Sequence, residues 1–397
     1  MNHPVYIAGI GVISSIGNNV AENLASLKTG KAGIQAMQRL QSIHKDTLPV
    51  AEVKLSDEEL AQRAQLPSYI SRTALLSAVA AREAVADAAI DLSDWRVGFI
   101  SANSVGGMDK TEDFFPAFLQ DAGSGDLKMV MNHECGAVTE VVADALGIKD
   151  FVTTVSTACS SSANSIFLGA RMIRQNVLDV VVAGGTDALT RFTLNGFNTL
   201  MILDQEYCQP FDEDRRGLNL GEGAAYVVLV SDKVAATLNS APVCTLSGWA
   251  NANDAHHQTA SSPEGKGNLL AMEGALRKAG LTPSAIDYIN LHGTGTQNND
   301  SSEGAAIAAL FREHYPSMSS TKSFTGHTLG ASGAIEAVYS VLAIREGLVF
   351  PNLRLQHPME NLPFRVATEP EKKEIRHVLS NSFGFGGNCS SLVFSKL

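Results

Sequence analysis

Phe151-Val152-Thr153-Thr154-Val155 runs straight into Ser156-Thr157-Ala158-Cys159-Ser160-Ser161-Ser162, and this junction decides how the chain folds. The first five residues read as a short buried strand. Beyond the serines, Ala163, Ile166, Phe167, Ala170 and Ile173 recur at helical spacing, with Arg171, Arg174 and Gln175 on the other side. The pattern predicts strand, tight turn and helix, with Cys159 at the positive end of the helix. Unpaired backbone N–H groups and the helix dipole favour a thiolate there, so a pKa below the ordinary value of about 8.5 is expected. A second reading stays open on this segment alone: free cysteine is also among the residues most often buried as a small hydrophobe.

Outward from that junction, the same alternation repeats. Val5–Ala8 opens the chain as a strand, and further strands are expected at 97–101 and 178–184, with an Ala-rich helix over 71–90. A second half begins after Ser240-Ala241-Pro242. It carries strand patterns at 243–249, 286–291, 377–382 and 390–394, alternating with helical patterns at 268–279, 300–313 and 328–346. Strands alternating with helices imply α/β layering. The two halves are similar in kind, but their sequences are too unlike to demonstrate a duplication. Gly9-Ile10-Gly11 lacks the third glycine and the distal acid of a dinucleotide fingerprint, so these glycines are expected to shape a turn, and no nucleotide cofactor is expected.

The 397 residues are 45% hydrophobic and 18% charged, ample for a large core. Five cysteines at 135, 159, 208, 244 and 389 are odd in number and show no CxxC spacing, which argues against a disulfide framework or a metal site and for a reducing cytoplasm. No stretch approaches a membrane span, and the first residues lack a basic leader. A net charge of −11 argues against nucleic acid as a partner.

Three more segments sit at strand ends or turns, where α/β folds place their sites. The run to Leu291 is followed by His292-Gly293-Thr294-Gly295-Thr296, whose glycines let the backbone approach a ligand. Asp300 and Glu303 then look like a helix N-cap and its N3 partner. The second segment is Ser320–Gly330, with Lys322 and His327 among apolar and glycine-rich flanks. It leads into a small-residue helix containing Glu336, which needs a polar partner if buried. The third, Asn381-Ser382-Phe383-Gly384-Phe385-Gly386-Gly387-Asn388, reads either as a mobile lid or as a tight turn with core rings. A core role for His292 alone would be equally consistent. Together, however, a cysteine, two histidines and a lysine permit thioester chemistry. The thiolate forms an acyl-enzyme, and two imidazole N–H groups hold the enolate left when a malonyl thioester loses CO2. The enolate then attacks the acyl-cysteine, a Claisen condensation.

In these motifs the chain resembles a β-ketoacyl-[acyl-carrier-protein] synthase of the elongating, decarboxylating type in the thiolase-like superfamily. The resemblance runs over Val5–Gly17, the Cys159 segment, Gln209–Asp212 through Gly221–Ala224, HGTGT (292–296), GHTLGASG (326–333) and NSFGFGG (381–387). It implies a five-layered αβαβα fold of two similar halves, 1–240 with the nucleophile and 241–397 with both histidines and the lysine. It also implies no cofactor, a dimer, and acyl carrier protein as bearer of both substrates. Residue by residue, it implies Cys159 as the acylated nucleophile, His292 and His327 on the malonyl carbonyl, and Lys322 tuning them. Phe383, Thr294, Thr296 and Gly384 would contact substrate, the N–H groups of Cys159 and Phe383 would form the oxyanion hole, and Phe383 would gate the acyl pocket beside a mobile loop at Asn251–Gly267. Glu336, Asp300 and Glu303 would be supports.

Some positions depart from the family pattern. Asn388-Cys389 replaces the usual Thr-Asn, Gln297-Asn298-Asn299 replaces Pro-x-Gly, and Asp187 replaces Glu. These departures resemble synthases of aryl-polyene and flexirubin pigment clusters, in which the catalytic subunit pairs with a chain-length-factor-like subunit. Housekeeping fatty-acid elongation as a homodimer is the alternative, and a non-condensing binding subunit or a Cys-His thioesterase are the remaining readings. Gly169 and Ala170, small residues behind the nucleophile, are compatible with a long acyl chain, and bulky neighbours brought in by folding could equally close that space.

Overall fold

The computed structural model describes residues 3–397. The first half contributes strands β1 (Tyr6–Ser14), β2 (Val97–Ala102), β3 (Phe151–Val155), β4 (Val180–Asp187) and β5 (Gly223–Val230). Between them lie helices α1 (Arg72–Ala88), α2 (Cys135–Leu146) and α3 (Ser161–Arg174). The second half contributes β6 (Cys244–Asn253), β7 (Tyr288–Asn290), β8 (Ser317–Ser319), β9 (His377–Gly384) and β10 (Asn388–Lys396). Its helices are α4 (Lys266–Ala279), α5 (Gln297–Phe311) and α6 (Ser332–Glu346).

The ten strands form one sheet in the order β3-β2-β4-β5-β1-β6-β10-β9-β7-β8. Each half repeats one topology: a parallel trio, β3-β2-β4 or β8-β7-β9, followed by two antiparallel strands, β5-β1 or β10-β6. The duplication that the sequences hide is therefore explicit in the backbone. Within the sheet, the two half-sheets meet where Tyr6 and Ile7 of β1 pair with Thr245 and Cys244 of β6. Helix α1 covers one face of the first half-sheet, α3 and α6 lie side by side between the half-sheets, and α4 with α5 covers the far face, which makes five layers.

Gly9 and Gly11 do not shape a turn. They lie mid-strand in β1, and a Cβ on them would stand 2.3 Å from Ala84 O and 2.1 Å from Ala80 O of α1. Bare backbone and an Ala-rich helix together bring helix and sheet into close contact. Gly169 has a similar role, since its Cβ would meet Val181 Cγ1 at 2.9 Å, so it packs α3 on the sheet instead of opening a tunnel. Strand β5 was not anticipated. It is buried at all eight positions, so its apolar run shows no alternation to mark it. At the other extreme, edge strand β3 has a neighbour on one side only, and all five of its residues are half-buried. All five cysteines are free, and among the described residues no helix is long and apolar enough to cross a membrane.

Candidate active site

β3 ends at Val155 and α3 begins at Ser161, so Cys159 lies on the expected turn at the helix N-terminus. Ala158 just before it adopts the left-handed region at φ 53°, which costs a non-glycine residue on the order of 1 kcal/mol. Serine side chains hold this turn. Ser161 Oγ accepts from Thr157 N–H at 2.8 Å and donates to Ala158 O at 2.5 Å, and Ser160 Oγ donates to Thr157 O at 2.8 Å. Gly384 abuts the turn from behind; a Cβ there would stand 3.1 Å from both Cys159 N and Thr157 O.

His292 follows β7 by two residues. Its N–H and that of Gly293 donate to the two carboxylate oxygens of Glu303 at 2.9 and 2.8 Å. Asp300 accepts from the N–H groups of Thr294 and Phe211 at 3.0 and 2.8 Å. Neither acid caps a helix, as the sequence pattern had implied. The N-cap of α5 is Thr296, and both acids are fully buried within α5, clamping the glycine-rich loop from below. Burial pushes Glu303 up to about 7 and raises Asp300, against the backbone N–H bonds that favour their charged forms.

Lys322 Nζ is buried and donates to His292 O at 2.6 Å, approaches His292 Nδ1 at 3.2 Å, and makes a very short contact with Glu336. Glu336 thus finds the polar partner that its burial demands; burial pushes its carboxyl up to about 7, and Lys322 opposes this. The second imidazole is locked similarly. Leu329 N–H, a donor only, points at His327 Nδ1 at 3.0 Å, with Ser332 Oγ at 3.2 Å. A ring nitrogen that accepts must be bare, so each neutral imidazole carries its proton on Nε2. Burial, then the Lys322 charge, holds His327 down at about 3, and the same causes in the same order hold His292 well below the ordinary histidine range. The rings stand edge to face with centroids 5.5 Å apart. Ligand atoms of Cys159, His292 and His327 all lie within 4.8 Å of one another. A divalent cation among them would sit beside a buried ammonium, so this donor set suits a developing anion better.

Two expectations are corrected here. The thiol of Cys159 is not lowered: burial pushes it up to about 11, against the Lys322 charge and the N–H groups of Phe385 and Cys159. The helix terminus is present, but so is nearly complete burial of the side chain. In addition, the N–H directed at Sγ belongs to Phe385, not Phe383. Phe383 lies inside β9 opposite Cys389 of β10, and its ring is buried 6.0 Å from that of His292. The half-buried ring of Phe385 stacks on Phe197 at 5.9 Å.

These groups share a cavity of about 310 Å³, also lined by Thr294, Thr296, Phe383, Gly384 and the Thr259–Ser261 stretch of the expected loop. The Thr294 and Thr296 hydroxyls are 2.9 Å apart. Phe197, Leu200, Met201 and Ile202 form an apolar wall that sequence reasoning missed, although Phe197–Ile202 is visible as an apolar cluster at a helix end. The departures from the family pattern have definite places. Asn388 Oδ1 accepts from Asn164 Nδ2 at 3.0 Å and Asn251 Nδ2 at 2.7 Å and lies 2.8 Å from Ser160 Oγ, whose one proton it shares with Thr157 O, which ties the elbow to β6 and β10. Asp187 accepts from Ser104 N–H and Gly330 N–H at 2.9 and 2.7 Å, joining the end of β4 to the segment that carries His327.

Comparison with known proteins agrees with this geometry. Residues 2–235 match the family model for the β-ketoacyl synthase N-terminal domain, and residues 243–356 match that for the C-terminal domain. The 3-oxoacyl-[acyl-carrier-protein] synthase 2 of Coxiella burnetii is 35% identical over 411 residues, covering 99% of this chain and 98% of that protein. Among solved structures, the ishigamide ketosynthase/chain length factor superimposes with a TM-score of 0.95 at 29% identity, and each chain is covered in full. A ketosynthase in complex with its chain length factor from Xenorhabdus doucetiae gives a TM-score of 0.86 at 31% identity, covering 100% of this chain and 98% of that one.

Proposed function

The chain belongs to the β-ketoacyl synthase family, and on that premise we propose how its own residues condense an acyl chain with malonyl-acyl carrier protein. Cys159 Sγ attacks the thioester carbonyl of the acyl carrier. The oxygen becomes an oxyanion facing the N–H groups of Phe385 and Cys159, the old C–S bond breaks, and the cysteine proton leaves with the carrier thiol. Neither histidine serves as base for this step, because both Nε2 atoms already carry protons. The malonyl thioester then places its carbonyl oxygen against the two Nε2–H groups. Its carboxylate leaves as CO2, and the bonding pair becomes an enolate whose oxygen these donors hold, with Lys322 supplying positive field. The enolate carbon attacks the acyl-cysteine carbonyl. Collapse of that adduct gives the 3-oxoacyl carrier and returns Cys159 as thiolate, which takes up one proton.

The observation that carries this reading is the shared tautomer. Two neutral imidazoles, each fixed by a donor on Nδ1, aim N–H groups into the cavity where the thiol lies. Intact-mass spectrometry tests it. Acyl carrier should add an acyl group to Cys159, and malonyl carrier should remove it as a product two carbons longer. A Cys159→Ala protein that still condenses would sink the mechanism.

Acyl carrier protein and a second chain are its partners, and the second chain is assigned to the free edge of β3, where strand addition would cover five half-buried residues. The finer reading is a heterodimer with a chain-length-factor-like subunit making aryl polyenes. Its support is the closeness of the two ketosynthase and chain-length-factor structures. Preference for saturated chains by a homodimer would favour fatty-acid elongation instead.

A further inference from the structure

The two N–H groups that meet the developing oxyanion come from different parts of the chain. That of Cys159 belongs to the elbow between β3 and α3, and that of Phe385 to the short loop between β9 and β10. Such a pair lowers a barrier only if the gap between the donors is fixed before the charge appears. The Phe385 loop has little of its own to fix it. Gly386 and Gly387 follow in succession with φ 79° and 74°, and the Phe385 ring is only half-buried. The backbone bonds of these glycines run to the end of β6 and the loop after it. Gly386 N–H donates to Gln258 O at 2.7 Å, and Gly386 O accepts from Asn253 Nδ2 at 3.0 Å. Gly387 O accepts from Asp254 N–H at 2.9 Å.

We propose that Asn388 is the positioning residue that sets this gap, through its side-chain oxygen alone. It follows the two glycines directly, and its Oδ1 holds the elbow on both sides of the nucleophile. It lies 2.8 Å from the hydroxyl of Ser160, the residue after Cys159. It also accepts from Asn164 Nδ2 at 3.0 Å, and the same Nδ2 donates to the hydroxyl of Thr157, before Cys159, at 2.9 Å. Asn164 cannot turn away. Its Oδ1 is held by Ser390 Oγ at 2.6 Å and Asn251 Nδ2 at 3.2 Å, so its whole carboxamide is engaged. Ser160, Asn164 and Ser390 are buried, so losing the Asn388 oxygen strands donors that water does not reach. The histidines hang from other supports: Glu303 accepts from His292 N–H, while Leu329 N–H and Ser332 Oγ meet His327 Nδ1. The effect of Asn388 therefore falls on the steps that pass through an oxyanion at the cysteine and spares CO2 release. The inference rests on the proposed condensation, whose oxyanion these donors serve.

The test compares the wild type with Asn388→Leu, which keeps the volume and removes the acceptor, and Asn388→Thr, whose oxygen stops one atom short. Quenched-flow mass spectrometry over a range of acyl-carrier concentrations gives the maximal rate of Cys159 acylation and the half-saturating concentration. CO2 release from labelled malonyl carrier, without acyl carrier, is followed on the same preparations. Both variants should acylate about 10- to 100-fold more slowly at saturation, because the donors are displaced and not removed. Half-saturation and CO2 release should stay within about twofold of wild type, since neither depends on the oxyanion donors. A variant that acylates at the wild-type rate overturns the proposal. So does an equal loss of acylation and CO2 release, which a merely loosened fold would give. Should Asn388→Leu fail to fold, Asn388→Thr carries the same comparison. A wild type that releases CO2 but takes up no acyl group would overturn the proposed function itself, and this assignment with it.

Discussion

Replacing His327 by Asn separates the two halves of the proposed chemistry. The Asn carbonyl can still accept the Leu329 N–H that now meets Nδ1 at 3.0 Å, so the buried donor is not orphaned. The amide nitrogen, however, stops short of the Nε2 position, and one of the two enolate donors is lost. Removing one such preorganised donor typically costs about 10² to 10³ in rate, or about 2.7–4 kcal/mol. CO2 release from malonyl carrier should therefore fall by about that factor, while acylation of Cys159 stays within about threefold, because the Phe385 and Cys159 N–H groups are untouched. The pH dependence has a definite sign. The folded-state pKa of His327 is depressed to about 3, so the ring is neutral above its ordinary value near 6.5 and stays so until pH falls toward 3. Decarboxylation by wild type should be flat from about pH 5 to 9. Labelled malonyl carrier gives the first rate and intact mass the second. Unchanged CO2 release in the variant, or an equal loss in acylation, would refute the division of labour between the histidines and the cysteine.

Acylation should behave oppositely with pH. With the Cys159 thiol pushed up to about 11, its rate should climb through pH 9 without a plateau, measured by quenched-flow mass spectrometry. Glu336→Gln leaves the buried Lys322 ammonium without its carboxylate, so urea unfolding should show a loss of about 3–5 kcal/mol. Gly384→Ala sets a methyl 3.1 Å from Cys159 N, and acylation should slow with a stability loss of about 1–3 kcal/mol in the same assay. Gly11→Ala drives a Cβ to 2.1 Å from Ala80 O, a backbone atom that cannot step aside. Its loss should reach about 3 kcal/mol or more, seen as a lower denaturation midpoint.

What was legible in the sequence had local causes. Strand β3, the elbow at Cys159 and the helix behind it follow from apolar spacing within some twenty residues, and the HGTGT and GHTLG motifs mark their loops by glycine. Other features depend on contacts that no local pattern encodes. Gly9 and Gly11 look like turn formers until α1 is placed over them. Asp300 and Glu303 look like capping residues, but the loop that precedes their helix folds back so that its N–H groups meet their carboxylates. The thiol pKa failed for a related reason: the helix N-terminus is written in the sequence, whereas burial of the thiol is a property of the whole fold. Phe385 stood in a quoted motif, two residues from Phe383. Only the end of β9 at Gly384 shows which of the two releases its N–H toward the nucleophile.

The repeated topology explains why one nucleophile and two donors can meet at all. α3 and α6 occupy equivalent places in the two halves, and their N-terminal turns touch: Ala334 N–H donates to Ser162 Oγ at 2.9 Å, and a Cβ on Gly333 would stand 2.8 Å from Ala163 N. The residue entering α3 is Cys159, while the segment entering α6 carries His327. Similarly, the equivalent strands β2 and β7 lead to Asn103 and His292. Asn103 Oδ1 accepts from Gly106 N–H and organises a loop, whereas His292 faces the cavity. Each half thus keeps the same scaffold and presents different chemistry at the same place. A single half would offer either a thiol without enolate donors or donors without a thiol. Condensation needs both within a few ångströms, and packing one helix start on the other provides that proximity before any substrate binds. It follows that Gly333 constrains the site more than its distance from the reacting atoms suggests. Enlarging it to Val should leave CO2 release measurable but uncouple it from condensation, because the thiol and the imidazoles would be pushed apart as two intact half-sites. A Gly333→Val protein that retained wild-type coupling of CO2 to product would show that the helix contact does not set the site.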